Sequence, residues 1–150
     1  MKVYYPIFLD LTGQPVLVVG AGKVALRKTR ALVEAGARVT VVAPEALPEF
    51  STLSLHLRAR SFRPSDLNGK VLAFAATNVR EVNRRVGKEA ASRRIAANVA
   101  DAPPECRFLV PARIRRNGLQ LAISTSGRSP RLAAELRRQF ETVLRRARME

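Results

Sequence analysis

Pro15-Val16-Leu17-Val18-Val19-Gly20-Ala21-Gly22-Lys23-Val24-Ala25 joins an uninterrupted apolar run to two glycines one residue apart. The apolar run reads as a buried strand of a parallel sheet, which has no wet face to alternate with. Lys23 to Ala35 reads as a helix that stops at Gly36, and Arg38 to Ala43 as a second apolar strand stopped by Pro44. Strand, glycine turn, helix and strand in this order make one βαβ unit. Gly20-x-Gly22-x-x-Ala25 then has its proper context. The first glycine allows the tight turn, the second lets a diphosphate approach the backbone, and the small third residue lets helix and strand pack closely. Amides at the helix start and the helix dipole hold the anion. A bare structural turn is the competing reading.

Outward from this unit, Ser54 to Arg60 reads as a short strand and Pro64 to Gly69 as a turn or one helical turn. Val71 to Ala76 is a further buried strand ending at Thr77-Asn78. Val79 to Arg94 is helical in composition, with Val82, Val86, Ala90 and Ala91 near one face, and Ile95 to Val99 is a fifth strand. The pattern then changes. Phe108 to Arg116 and Leu119 to Ser124 flank Asn117-Gly118, a strong hairpin signal. Ser129 and Pro130 read as N-cap and first residue of a last helix, with Leu132, Leu136, Phe140, Val143 and Leu144 along one side. That apolar face needs the hairpin or another subunit to cover it. The expected fold is α/β: a Rossmann-type parallel sheet with helices on both faces in residues 1–106, then an antiparallel hairpin dimerisation region and a C-terminal helix in residues 107–150.

The totals bound the function. The 150 residues amount to one ordinary domain with an appendage, and 47% hydrophobic residues suffice for a core. No apolar run is long enough for a membrane span, and the N-terminus carries no signal-peptide pattern. One cysteine, Cys106, excludes an intrachain disulfide framework and fits a reducing cytoplasm. Lys and Arg number 27 against 12 Asp and Glu, for a net charge of +15. The last 20 residues carry only +3 of it, so the charge is spread rather than held in a tail. Such a surface is either simply solvated or attracts anions: nucleic acid, a membrane surface or a multiply charged small molecule. His56 and Cys106 lie far apart without ligand spacing, so no metal site is expected.

Several stretches together resemble the precorrin-2 dehydrogenase / sirohydrochlorin ferrochelatase family, which includes the N-terminal part of siroheme synthases. They are Tyr5-Pro6-Ile7-Phe8; Val18 to Lys28; Ala35-Gly36-Ala37; Ala75-Ala76-Thr77; Asn98-Val99-Ala100-Asp101-Ala102-Pro103; and Ser124-Thr125-Ser126-Gly127-Arg128-Ser129-Pro130. They occur in family order over about residues 4 to 140. The resemblance implies a homodimer that oxidises precorrin-2 to sirohydrochlorin with NAD, some members also inserting ferrous iron. It places the family's aspartate on Asp101 and its cofactor contacts on Gly22, Lys23, Val24, Pro44 and Glu45. Departures are Lys23, where the family is often acidic, and Thr125, at the position of a serine phosphorylated in some members. Family members commonly continue with a further helical region past the position of Glu150.

The residues themselves accommodate this chemistry. Gly20 belongs to the same cradle, and Thr77 and Asn78, at a strand's carboxyl end, either face the crevice or merely turn the chain. Glu45 sits near the ribose position and no basic cluster accompanies it, which favours NAD over NADP. Asp101 either takes a proton or caps the turn before Pro103. A substrate with eight carboxylates needs cations, and Arg113 and Arg128, with Ser124 and Ser126, are the candidates to bind it. Two other readings remain at this point: a non-catalytic NAD-sensing or nucleic-acid-binding module with a basic surface, and an NAD enzyme of another substrate class.

Overall fold

The computed structural model describes residues 3–146, with side chains described as far as Arg145. Met1-Lys2, at the start of the stretch read for a leader, and residues 147–150, at the end of the basic last segment, lie outside it. The elements in order are β1 (Pro15–Val19), α1 (Lys23–Glu34), β2 (Arg38–Ala43), β3 (His56–Ala59), β4 (Leu72–Ala75), α2 (Arg80–Ser92), β5 (Ala96–Val99), β6 (Ala112–Arg116), β7 (Leu119–Ile123) and α3 (Pro130–Arg146). The chain divides into two compact units, residues 7–108 and residues 3–6 with 109–146.

The first unit is a five-stranded sheet of order β3-β2-β1-β4-β5 with every pair parallel. From β1 the chain moves outward through β2 to β3, then returns to place β4 on the other side of β1. The strand order therefore reverses between β1 and β4. Right-handed crossovers in the two directions put α1 and α2 on opposite faces. Packing agrees: Val16, Val18, Val39, Val41 and Phe74 share a buried cluster with Ala25, Leu26 and Leu32 of α1. Leu17 and Val19, the intervening residues of β1, are as fully buried and face the other way. Sequence reading gave α2 a face of Val82, Val86, Ala90 and Ala91. The buried residues are instead Asn83, Val86 and Ala90, and Ala91 is exposed. A turn of 3.6 residues carries Ala91 round to solvent while Asn83, polar but on the inner stripe, is covered.

In the second unit β6 and β7 pair antiparallel, with Arg116 opposite Leu119. Asn117 and Gly118 both have positive φ, 45° and 81°. That is the two-residue turn whose twist matches the strands. At the start of α3, Leu132 N–H donates to the Ser129 hydroxyl at 3.1 Å, so Ser129 caps the helix and Pro130 is its first residue. Leu132, Phe140 and Val143 remain exposed on α3. No helix among the described residues is long and apolar enough to cross a membrane.

One buried charge fastens β3 to the approach to β4. The Asp66 side chain, in a 3-10 turn at Pro64–Leu67, is fully buried. It accepts from Arg58 Nη1 at 2.6 Å, from both Arg60 terminal nitrogens at 2.8 and 2.6 Å, and from Arg63 N–H at 2.9 Å. The Arg60 guanidinium, above all, holds this carboxyl far below the usual carboxylate range against the opposing effect of burial. A depressed carboxyl stabilises the fold fully above its unfolded value and loses that contribution as pH falls toward the native value. Asp66→Asn is expected to cost about 2–4 kcal/mol at neutral pH, because arginines lose a buried partner. Urea unfolding should find the gap to the parent narrowing once pH drops below about 4. A gap of equal size at pH 7 and pH 3 would refute this account.

Candidate functional site

The carboxyl ends of β1, β2, β4 and β5 bring Gly20 to Val24, Pro44-Glu45, Thr77-Asn78 and Asp101 to one edge of the sheet. This is the edge at which open parallel sheets bind ligands, and the order reversal between β1 and β4 marks the crevice. Sequence reading names nine of these ten residues as site candidates, all but Ala21.

The two glycines differ in what they meet. Gly20 has φ 106°, and a Cβ there would lie 2.4 Å from the Ala76 carbonyl oxygen and 2.9 Å from the Thr77 nitrogen. Its hydrogen lets the end of β1 rest on the turn after β4. Gly22 has φ −87°, an ordinary value, and a Cβ there would meet nothing within 4 Å. A side chain at Gly22 is therefore sterically tolerable to the protein itself and would fill only the crevice. Behind it α1 begins. Leu26 N–H, bonded to the Gly22 carbonyl at 2.8 Å, is the first amide satisfied within the helix. No side chain caps the earlier amides, and no acidic residue occupies the first turn. Uncapped amides, the positive end of the dipole and open space beside Gly22 together fit a diphosphate.

The other loops close on this turn. Leu47 N–H donates to the Ala21 carbonyl at 3.2 Å, which folds the segment with Pro44 and Glu45 toward the glycines. Thr77 donates its main-chain N–H to Asn83 Oδ1 at 3.0 Å and accepts at its carbonyl from Asn83 Nδ2 at 3.0 Å. Asn78 is exposed.

Asp101 lies within ion-pair distance of a residue that sequence reading missed. Arg80, first residue of α2, reaches Asp101 Oδ1 at 3.6 Å and also pairs with Glu105. The segment following Asp101 is tied back to β5. Ala102 N–H bonds the Val99 carbonyl at 3.2 Å, Arg107 N–H the Ala97 carbonyl at 2.9 Å, and Val99 N–H the Cys106 sulfur at 3.2 Å. Lys28 of α1 joins the same assembly: its ammonium donates to Asn98 Oδ1 at 2.9 Å and lies 5.6 Å over the Phe74 ring. Burial, then the nearby Arg27, pushes the Lys28 amine down from its ordinary value. Sequence reading names neither Arg80 nor Lys28 as a site residue, because each works through partners at least 21 residues away.

In the second unit, Ser124, Ser126 and Arg128 share a groove of about 470 Å³ with Val3, Tyr4, Thr125, Ser129 and Leu132. Ser126 and Gly127 both have positive φ, and Arg128 N–H closes the turn on the Thr125 carbonyl at 3.0 Å. The Thr125 hydroxyl accepts from Ser129 N–H at 3.0 Å, and Ser126 N–H donates to the Ser124 hydroxyl at 3.1 Å. Arg113 lies on β6, exposed, and is not part of that groove's lining. No group of three or more His, Cys, Asp or Glu able to hold a metal ion occurs among the described residues.

The contrast between the glycines is testable. Gly22→Ala should fold with a melting temperature near the parent's yet bind dinucleotide at least tenfold more weakly, since the methyl enters only the crevice. Gly20→Ala should instead melt well below the parent, because the methyl meets backbone. Equal melting temperatures for the two variants would contradict the close approach at Gly20.

Residues 7–112 match a family model described as putative NAD(P)-binding, and residues 116–142 one described as sirohaem biosynthesis protein central. Siroheme synthase 3 of Aeromonas hydrophila is 48% identical over 145 residues, covering 94% of this chain and 31% of the relative. The siroheme synthase of Methylobacillus flagellatus is 46% identical over 143 residues, covering 93% and 31%. The chain thus spans about a third of the length of these curated relatives. A solved structure titled SirC, precorrin-2 dehydrogenase, superposes with a TM-score of 0.83 at 31% identity, covering 93% of this chain and 71% of that one. The chain belongs to the NAD(P)-binding family of sirohaem biosynthesis, to which the siroheme synthases and SirC belong.

Proposed function

We propose that this chain is an NAD-dependent dehydrogenase that converts precorrin-2 to sirohydrochlorin. The observation that carries the reading is the pairing of uncapped α1 amides and open space at Gly22 with a carboxylate, Asp101, on the same edge of the sheet. The likeness to SirC and to the siroheme synthases supports the choice of substrate.

In this reading the Gly20–Gly22 turn with Lys23 and Val24 grips the diphosphate. Pro44, Glu45, Thr77 and Asn78 line the rest of the nucleotide's path. Glu45 accepts from a ribose hydroxyl, which favours NAD over NADP. Bound there, NAD supplies the acceptor for the hydride that leaves the macrocycle. Asp101 takes the accompanying proton, and Arg80 holds the carboxylate in place for it. Arg113, Ser124, Ser126 and Arg128 bind substrate carboxylates; the planar guanidinium fork suits both oxygens. The apolar stripe of Leu132, Phe140 and Val143 on α3 serves homodimerisation, burying surface that a lone chain leaves wet.

Mixing the protein with NAD and anaerobically generated precorrin-2 should yield NADH together with the sirohydrochlorin spectrum. Asp101→Ala is expected to slow turnover by about 10²–10⁴-fold while leaving NAD affinity nearly intact. Unchanged turnover in this variant would reduce Asp101 to a turn residue. Absence of turnover in the parent, with tight DNA binding that weakens steeply in salt, would favour a binding module instead. Sedimentation at micromolar concentration should return twice the chain's mass, and a single-chain mass removes the dimer from the proposal.

A further inference from the structure

Asn83 is an anomaly by the ordinary rules of helix composition. It sits in the interior of α2, where asparagine is a poor helix former, and it is fully buried. Burying a carboxamide is costly unless its hydrogen bonds are replaced. Here they are, by a single residue in the turn between β4 and α2. Oδ1 accepts both the Thr77 N–H at 3.0 Å and the Thr77 hydroxyl at 2.8 Å, and Nδ2 donates to the Thr77 carbonyl at 3.0 Å. The Thr77 hydroxyl in turn accepts Val79 N–H at 3.1 Å. The carboxamide presents one acceptor and one donor, as a neighbouring strand's backbone would, just where β4 has ended.

That places the constraint at the crevice. Ala76 N–H bonds the Val19 carbonyl at 2.8 Å, and the Ala76 carbonyl rests against Gly20. Thr77 is thus fixed on one side by the glycine turn and on the other by Asn83. Asn78, the next residue, is exposed at the same edge. An apolar residue at position 83 would pack α2 equally well and leave both Thr77 main-chain groups without these partners.

We propose that Asn83 is a positioning residue of the nucleotide site: its carboxamide sets the pose of the Thr77-Asn78 turn, and through it the affinity for a dinucleotide. The proposal rests on the nucleotide reading above. Calorimetric titration of the parent with NAD and with NADP tests that reading first; a parent that binds neither refutes the nucleotide site itself. Given binding by the parent, Asn83→Leu, which keeps the branched four-atom skeleton and removes the bonds, should weaken dinucleotide affinity about tenfold or more at a temperature where circular dichroism reports it folded. A folded Asn83→Leu protein with the parent's affinity overturns the proposal, since a merely structural residue would lower only the melting temperature. Should Asn83→Leu fail to fold, the parent decides. Saturating NAD must then shift the Asn83 side-chain amide resonances and slow exchange of the Thr77 amide. Resonances and exchange unmoved by NAD overturn the proposal.

Discussion

At Gly20 two stretches of backbone touch, and the rest of the site depends on that contact. The turn after β1 lies against the turn after β4 so closely that a methyl group would not fit between them. This brings the two strand ends flanking the order reversal into register and leaves the space beyond them, beside Gly22 and the start of α1, for a ligand. The same lack of a side chain does two different things two residues apart: at Gly20 it permits the protein to meet itself, and at Gly22 it keeps the protein out of the crevice.

Around this contact each loop is fixed by a partner beyond the strand it follows. The turn after β2 is bonded to Ala21, the turn after β4 to Asn83 of α2, and the turn after β5 to Arg80 of α2 and to Cys106. The helix following β4 therefore supplies both Asn83, which holds Thr77, and Arg80, which pairs with Asp101. Preorganisation of this kind lets loops carry binding groups without the entropy cost of ordering them on binding. The second unit follows the same rule on a smaller scale, with the Thr125 and Ser124 hydroxyls bonding the backbone of the turn that carries Arg128.

Much of this was legible in the chain. The apolar runs at Val16 to Val19 and Arg38 to Ala43, the glycine spacing, Asn117-Gly118 and Ser129-Pro130 are all local signals, set by sterics and hydrogen bonding within a few residues. Strand, helix, hairpin and cap follow from them. That the nine candidate residues share one edge of the sheet was legible too, because carboxyl ends of parallel strands share an edge whatever the strand order. The inner face of α2 was misread at Asn83 because hydrophobic periodicity treats a polar residue as outward-facing, and this one is buried by virtue of its bonds.

The sequence by itself determined the element types, the glycine cradle and the family, since each rests on short-range periodicity or on motifs contiguous in the chain. Only the tertiary structure decided the order β3-β2-β1-β4-β5, the burial of Asp66 among Arg58, Arg60 and Arg63, and the partnerships of Lys28 with Asn98, Asn83 with Thr77 and Arg80 with Asp101. That order and the pairings of Lys28 with Asn98 and Arg80 with Asp101 depend on which strand ends and helix starts become neighbours in space, a long-range outcome of packing. Asp66 and its arginines, like Asn83 and Thr77, lie within eight residues of each other, but the packing around them decides that Asp66 and Asn83 are buried.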